Sequence, residues 1–255
     1  MRFARLLLLV CILLTLSHAR ADEPRRLLLI GQGRDNHPPG THEYLAGVNR
    51  LAKLLENTPN LTVTVAQADE PWSDGPQQIA DSDGIVLFVS EGARWCLADP
   101  RRHEALTQLA ARGGGLSTIH WGMGTRAAEP IEPFQKLFGA CHGGPDRKYQ
   151  VVRSQLHPAE PRHPIAEGIS ALDVRDEFYY RLKLVDAQPG VEPVMQALID
   201  GQAETVAWAW QRPDGGRSFG FSGLHFDDNW DLPQYQQLMA RGVLWTLKLP
   251  LAPVN

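Results

Sequence analysis

Short apolar runs that stop abruptly on glycine or polar residues recur along this chain. Arg26 to Ile30 ends at Gly31-Gln32-Gly33, Gly84 to Val89 ends at Ser90-Glu91-Gly92, and Leu116 to Ile119, preceded by three glycines, ends at His120. Each is too short for a helix and carries no internal charge, the pattern of a strand buried on both faces of a parallel sheet. Leu61 to Val65 alternates β-branched residues and reads as a further strand. Between the strands the period lengthens. Apolar Tyr44, Val48, Leu51, Leu54 and Leu55 predict a helix from His42 to about Asn57 with Thr41 as its N-cap, and a second helix covers Pro100 to Arg112. Ala68 to Gln78 reads as loop. Strands alternating with helices at this spacing predict an α/β fold around a mainly parallel sheet.

The second half has a different rhythm. A helix is expected at Ile131 to Phe138, followed by a loop to Asp146 and extended chain at Tyr149 to Arg153. His157-Pro158 and His163-Pro164 read as turns, because the residue before proline is pushed out of the helical region. Val174 to Leu184, Val191 to Leu198, Thr205 to Gln211 and Arg217 to Gly223 have strand character, and Pro213-Asp-Gly-Gly216 marks a hairpin between the last two. These add mixed or antiparallel strands to the sheet. Leu232 to Lys248 closes the chain as an amphipathic helix through Tyr235, Leu238, Met239, Val243 and Leu244.

Composition narrows the function. A formal net charge of −4 over 255 residues gives no basic footprint, so nucleic acid is set aside as a partner. At the amino terminus two arginines within Met1 to Arg5, the apolar run Leu6 to Leu16 and Ala19-Arg20-Ala21 form a secretory signal pattern, with mature protein starting near Asp22. The run is too short for a stable anchor. The expectation is therefore one domain over residues 22–255, exported to the periplasm or secreted, with no membrane span once the signal is removed. Cys11 falls inside the apolar run, and whether Cys96 and Cys141 pair or stay as buried thiols is open.

Ligands of open α/β sheets bind beyond the carboxyl ends of the strands. His37, His42 and Glu43 follow the first strand, Glu91 the third, His120 the fourth, and His225 the strand ending at Gly223. Asp176-Glu177 leads into Phe178-Tyr179-Tyr180. Three histidines and a carboxylate from separate loops suit a mononuclear zinc or similar divalent ion, with neutral imidazoles as ligands. The metal set is thus His42, His120 and His225, and the groups placed for catalysis are His120, His225 and Glu177. Plainer readings stand beside these: a core histidine bound to a carbonyl for His120 and His225, a first-turn cap for His42, and an ion pair with Arg175 or Arg181 for Glu177 or Asp176. His142 beside Gly143-Gly144 is a weaker candidate in a connecting loop, while His103, His157 and His163 read as structural or solvent-facing. Trp121 and Trp230, each close in sequence to a candidate histidine, could stack on a sugar ring or pack beneath the loops. With His37 and Tyr179 they form the candidate substrate-binding set. Trp208, Trp210 and Trp245 read as core. No Gly-x-Ser-x-Gly or Gly-x-Cys-x-Gly elbow occurs, which disfavours covalent nucleophilic chemistry.

Taken together, His37-Pro-Pro-Gly-Thr-His42-Glu-Tyr44, Gly113-Gly-Gly-Leu-Ser-Thr-Ile-His120, His163-Pro-Ile-Ala-Glu-Gly-Ile169, Asp176-Glu-Phe-Tyr-Tyr180 and Gly220-Phe-Ser-Gly-Leu-His225 with Trp230 resemble the trehalose-utilisation (ThuA-like) family. The motifs run in the family's order from Arg26 to Pro250. Arg94 to Pro100 departs from the pattern, since relatives carry a glycine-rich loop there, often with histidine. The resemblance implies a flavodoxin-like three-layer sandwich related to class I glutamine amidotransferases but lacking their catalytic cysteine. It also implies a role in glycoside catabolism: metal-assisted elimination, hydrolysis or isomerisation of glycosides or 3-keto-glycosides, alongside a partner sugar 3-dehydrogenase. A non-catalytic sugar-binding or accessory protein using the same crevice is the alternative.

Overall fold

The computed structural model describes residues 23–251. The signal-peptide reading of residues 1–21, with Cys11, lies outside the described residues. In chain order the elements are β1 (Arg25–Gly31), α1 (Tyr44–Leu55), β2 (Leu61–Gln67), α2 (Gly75–Ala80), β3 (Gly84–Phe88), α3 (Gly92–Ala98), α4 (Pro100–Ala111), β4 (Gly115–Ile119), β5 (Gly124–Thr125) and α5 (Ile131–Phe138). There follow β6 (Ala140–Gly143), β7 (Lys148–Pro158), β8 (Leu172–Tyr180), β9 (Lys183–Leu184), β10 (Glu192–Ile199), β11 (Gln202–Gln211), β12 (Arg217–Phe221) and α6 (Pro233–Thr246). None of the described helices is long and apolar enough to cross a membrane.

Among the described residues nine strands form one sheet in the order β2-β1-β3-β4-β12-β11-β10-β7-β8. The first five are mutually parallel, and their 2-1-3-4-5 arrangement is that of a flavodoxin-like fold. From β12 outward every pairing is antiparallel, starting with the hairpin at Pro213–Gly216. Packing of α1 against α6 covers one side, while α2, α3 and α5 gather around α4, giving the three-layer α/β sandwich. The fully buried runs of β3 and β4 occupy the centre, as their unbroken apolar character requires.

Several local expectations are corrected. Helix α1 starts at Tyr44, with Glu43 in the cap position and no side-chain cap. Thr41 does not cap it; the Thr41 hydroxyl donates to Pro38 O, and its backbone bridges to Phe226. His42 has φ +53°, which no helical residue adopts, so the chain turns there before the helix begins. Helix α2 occupies part of the stretch expected as loop, and β6 lies within the loop expected after α5. His157-Pro158 is no turn but the end of β7, a strand position where proline's missing donor is tolerated. Gly92–Ala98 is the helix α3, with Trp95 and Cys96 buried. Cys96 and Cys141 are both buried free thiols.

Gly47 shows how closely α1 lies on the sheet. A Cβ there would stand 2.6 Å from the Phe88 ring and 3.0 Å from Trp230 Nε1. Alanine gains about 1 kcal/mol in helix propensity but overpacks this contact at a cost of about 1–3 kcal/mol. The expected result is net destabilisation of Gly47→Ala by up to about 2 kcal/mol, read as a lower urea midpoint with unchanged slope.

Candidate metal and sugar site

The strand ends of the parallel half converge as the topology requires. The loop after β1 brings Asp35, His37 and His42; β4 delivers His120 and Trp121 on a 3-10 turn; and the segment after β12 brings Ser222 and His225. His120 sits at φ +45°, so the chain bends sharply as it leaves the strand and points the imidazole across the sheet edge. The antiparallel half contributes from β8, where Glu177 and Tyr179 share one face by the two-residue strand period.

Three ring nitrogens meet. His42 Nε2 lies 3.0 Å from His225 Nδ1, and His120 Nε2 lies 3.1 Å from His42 Nε2 and 3.2 Å from His225 Nδ1. Glu177 Oε1 is 3.8 Å from His120 Nε2 and 3.7 Å from His225 Nδ1. The Tyr179 hydroxyl stands 3.0 Å from His120 Nε2.

The hydrogen bonds on the far side of two rings fix their tautomers. A carbonyl only accepts, so His120 Nδ1–H donates to Ser222 O at 2.7 Å and leaves Nε2 bare. Tyr44 O–H donates to Asp35 Oδ2 at 2.7 Å, so its oxygen accepts from His42 Nδ1–H at 2.8 Å and leaves that Nε2 bare too. A proton on His225 Nδ1 can cover its two contacts, but the 3.1 Å contact between His42 Nε2 and His120 Nε2 has no hydrogen to share. The His120 Nε2 lone pair can accept from the Tyr179 O–H at 3.0 Å, and the three converging nitrogens could together hold a metal ion. A tetrahedral zinc ion with bonds of about 2.0–2.1 Å places its nitrogen ligands roughly 3.3 Å apart, close to the observed triangle. The donor set therefore fits a divalent ion of the zinc class.

Electrostatics agree with neutral ligands. Burial, followed by the charges of His37 and His225, holds the His42 pKa down to about 3. Burial lowers His225 to about 4 and His120 well below the usual imidazole range. Burial, then the Asp176 charge, raises Glu177 to about 7.

The remaining sequence candidates separate cleanly. His37 stacks on His42, with ring centroids 3.6 Å apart, and accompanies Trp121 and Tyr179 in lining a cavity of about 120 Å³. Trp230 does not line this cavity. Its indole is buried beneath the site against α1 at Gly47, because the 3-10 turn Asp227–Asp231 carries it inward. Glu43 accepts from Gly40 N and pairs with Arg34, and Glu91 pairs with Arg126. Asp176 is wholly buried and holds backbone groups. His163 accepts from Ile165 N and lies elsewhere.

Four further residues, and the weaker candidate His142, belong to the site. Asp35 orients His37 through a 2.7 Å contact to Nδ1 and His42 through Tyr44. Arg126, His142 and Arg147 line the cavity, as does Tyr149. His142 stacks on Tyr179 with centroids 3.8 Å apart, on the face opposite His120 at 4.4 Å.

Burial, then the Arg147 and Lys183 charges, lowers the His142 pKa to about 3. An unfolded histidine takes up its proton near 6.5, so the unfolded chain binds more protons as pH falls below that value. The stability conferred by neutral His142 is complete above pH 6.5 and is lost progressively towards pH 3. From pH 6.5 to 5 the expected loss is about 2 kcal/mol, and a His142→Phe variant should show a correspondingly flatter dependence of its unfolding midpoint on pH.

A ThuA-like protein from Parabacteroides merdae is similar in structure with a TM-score of 0.63, 17% identity, and coverage of 88% of this chain and 90% of that one. A ThuA-like protein from Bacteroides uniformis gives 0.65, 14%, 89% and 93%. A cytoplasmic protein from Salmonella typhimurium gives 0.55, 14%, 90% and 99%. At these identities the likeness is one of fold. Among curated proteins none matches the sequence. The family profile described as trehalose utilisation matches residues 32–246. That span runs from the loop holding Asp35, His37 and His42 to the last turn of α6, and the chain belongs to the trehalose-utilisation (ThuA) family.

Proposed function

We propose that this protein is a sugar-utilisation enzyme that cleaves glycosides carrying a 3-keto group, with a divalent ion held by His42, His120 and His225. The observation that carries this reading is the triangle of imidazole nitrogens at 3.0–3.2 Å beside Glu177. Three imidazole nitrogens converging beside a carboxylate are a ligand set that ring stacking on a sugar does not require.

When bound, the ion supplies Lewis-acid polarisation of the ketone oxygen. The remaining work falls to the chain. A ketone at C3 acidifies the proton on C2, and the Glu177 carboxylate, beside the nitrogen triangle, is placed to remove it. The C2–H bond breaks towards Glu177, its electron pair forms the C1=C2 bond, and the C1–O bond breaks with its pair on the leaving oxygen. The protonated Glu177 then returns the proton to that oxygen. Stacking of His120, Tyr179 and His142 fixes the wall against which the ring turns. A sugar 3-dehydrogenase supplies the ketone in this scheme. The arginine-flanked apolar run Leu6 to Leu16 supports an exported, periplasmic or secreted setting.

The test is to supply 3-keto-trehalose or a 3-keto-glucoside to purified protein with zinc, manganese or cobalt. Release of the aglycone is expected, and Glu177→Gln should slow it roughly 10²–10⁴-fold with the metal still bound. Absence of turnover with every ion, together with sugar binding in metal-free protein, would instead identify a non-catalytic binder.

A further inference from the structure

The wall of the cavity away from the three histidines is chemically distinct. Trp121 Nε1 and His142 Nε2 are both buried and neither has a hydrogen-bond partner among the described residues. Both residues line the cavity, at 4% and 2% exposure. A buried polar group left unpaired costs roughly 1–3 kcal/mol, so such a pair in one wall points to a partner that arrives with the ligand. Arg147 lines the same wall, with its guanidinium 5.8 Å from the Tyr149 ring centroid and one N–H given to Gly144 O at 3.2 Å. It has no carboxylate partner among the described residues, whereas neighbouring Arg126 pairs with Glu91 and Lys183 with Asp146.

An indole N–H and a guanidinium only donate. A carboxylate brings two acceptor oxygens and the negative charge that would partner Arg147, and the Nε2–H tautomer of His142 adds a third donor towards it. We propose that Trp121, His142 and Arg147 form an anion subsite and that the substrates are glycosides of hexuronic acids. The assignment rests on the sugar reading above and refines it. In a pyranose the C5 carboxylate lies across the ring from C2 and C3, so a ring with its ketone towards the histidines would present its acid towards this wall.

The test measures binding to the full chain by calorimetry, with methyl β-D-glucuronide, methyl β-D-glucoside and glucose 6-phosphate as probes. The glucuronide should bind roughly tenfold or more tightly than either of the others. Arg147→Gln should bring the glucuronide-to-glucoside ratio close to one. Trp121→Phe, which keeps the ring and removes the N–H, should lower the ratio by roughly threefold or more. Thermal unfolding establishes that each variant is folded. Equal affinity for the acid and the neutral glycoside, or a preference that survives in folded Arg147→Gln, overturns the subsite and leaves the sugar reading standing. Tighter binding of the phosphate overturns the carboxylate assignment. Binding of none of the three overturns the subsite, while turnover of the 3-keto-glucoside decides the sugar reading separately.

Discussion

A His120→Ala, His225→Ala double variant is expected to lose a stoichiometric zinc-class ion that the wild-type chain retains through gel filtration, and with it all measurable turnover of a 3-keto-glycoside. Removing two of three nitrogen ligands leaves His42 alone, too few for a stable site. Loss of the electrostatic stabilisation of a developing oxyanion is worth roughly 10²–10³-fold for a single donor, so the fall here should exceed about 10³-fold. Elemental analysis and single-turnover kinetics on the same preparation read both effects. His37→Ala is the informative control. His37 stacks on His42 but stands outside the nitrogen triangle, so that variant should keep the ion. A double variant that keeps stoichiometric metal would sink the assignment.

The second large effect concerns stability, at Asp176. One buried carboxylate accepts from Leu224 N at 2.7 Å, His225 N at 3.1 Å, Glu177 N at 2.9 Å and the Tyr235 hydroxyl at 3.0 Å. It therefore ties β8, α6 and the segment carrying His225 into one knot. Leu224 has φ +70°, an unfavourable conformation held in place by these bonds. Asp176→Ala orphans several buried donors at about 1–3 kcal/mol each, for an expected loss on the order of 5 kcal/mol, enough to unfold a typical domain. Asp176→Asn keeps one acceptor oxygen and should recover part of it. Denaturant unfolding gives the stability, and zinc affinity of whatever remains folded shows whether His225 has drifted. A stable Asp176→Ala variant with unchanged metal affinity would contradict this account.

The parts of the fold legible in the sequence were those governed by local chemistry. The apolar runs of β3 and β4 and the helix at Ile131–Phe138 lie where glycine, proline and periodicity put them. Short elements escaped. In α3 the chain enters from Glu91 at φ +44° and has only seven residues, too few for a period to emerge. The histidine cluster was legible because strand ends in an open α/β sheet share one edge. His142 was legible only as a weaker candidate, because its place depends on stacking against Tyr179, a contact between distant segments. Trp230 misled for the converse reason: closeness to His225 along the chain is no guide once a 3-10 turn intervenes. Asp35 and Tyr44 were hidden behind ordinary roles, a polar loop and a helix face, and only the hydrogen-bonded chain to His42 distinguishes them.

The nitrogens that face one another belong to residues 78, 105 and 183 positions apart. Such contacts form late, since closing long loops carries an entropic cost that only a nearly complete core offsets. No fragment shorter than the stretch from His42 to His225 holds the full ligand set, and a growing chain has no coordination site until the segment after β12 has docked. On the proposed metal reading, uptake of an ion would report completed folding, since a half-made chain would offer it only scattered imidazoles.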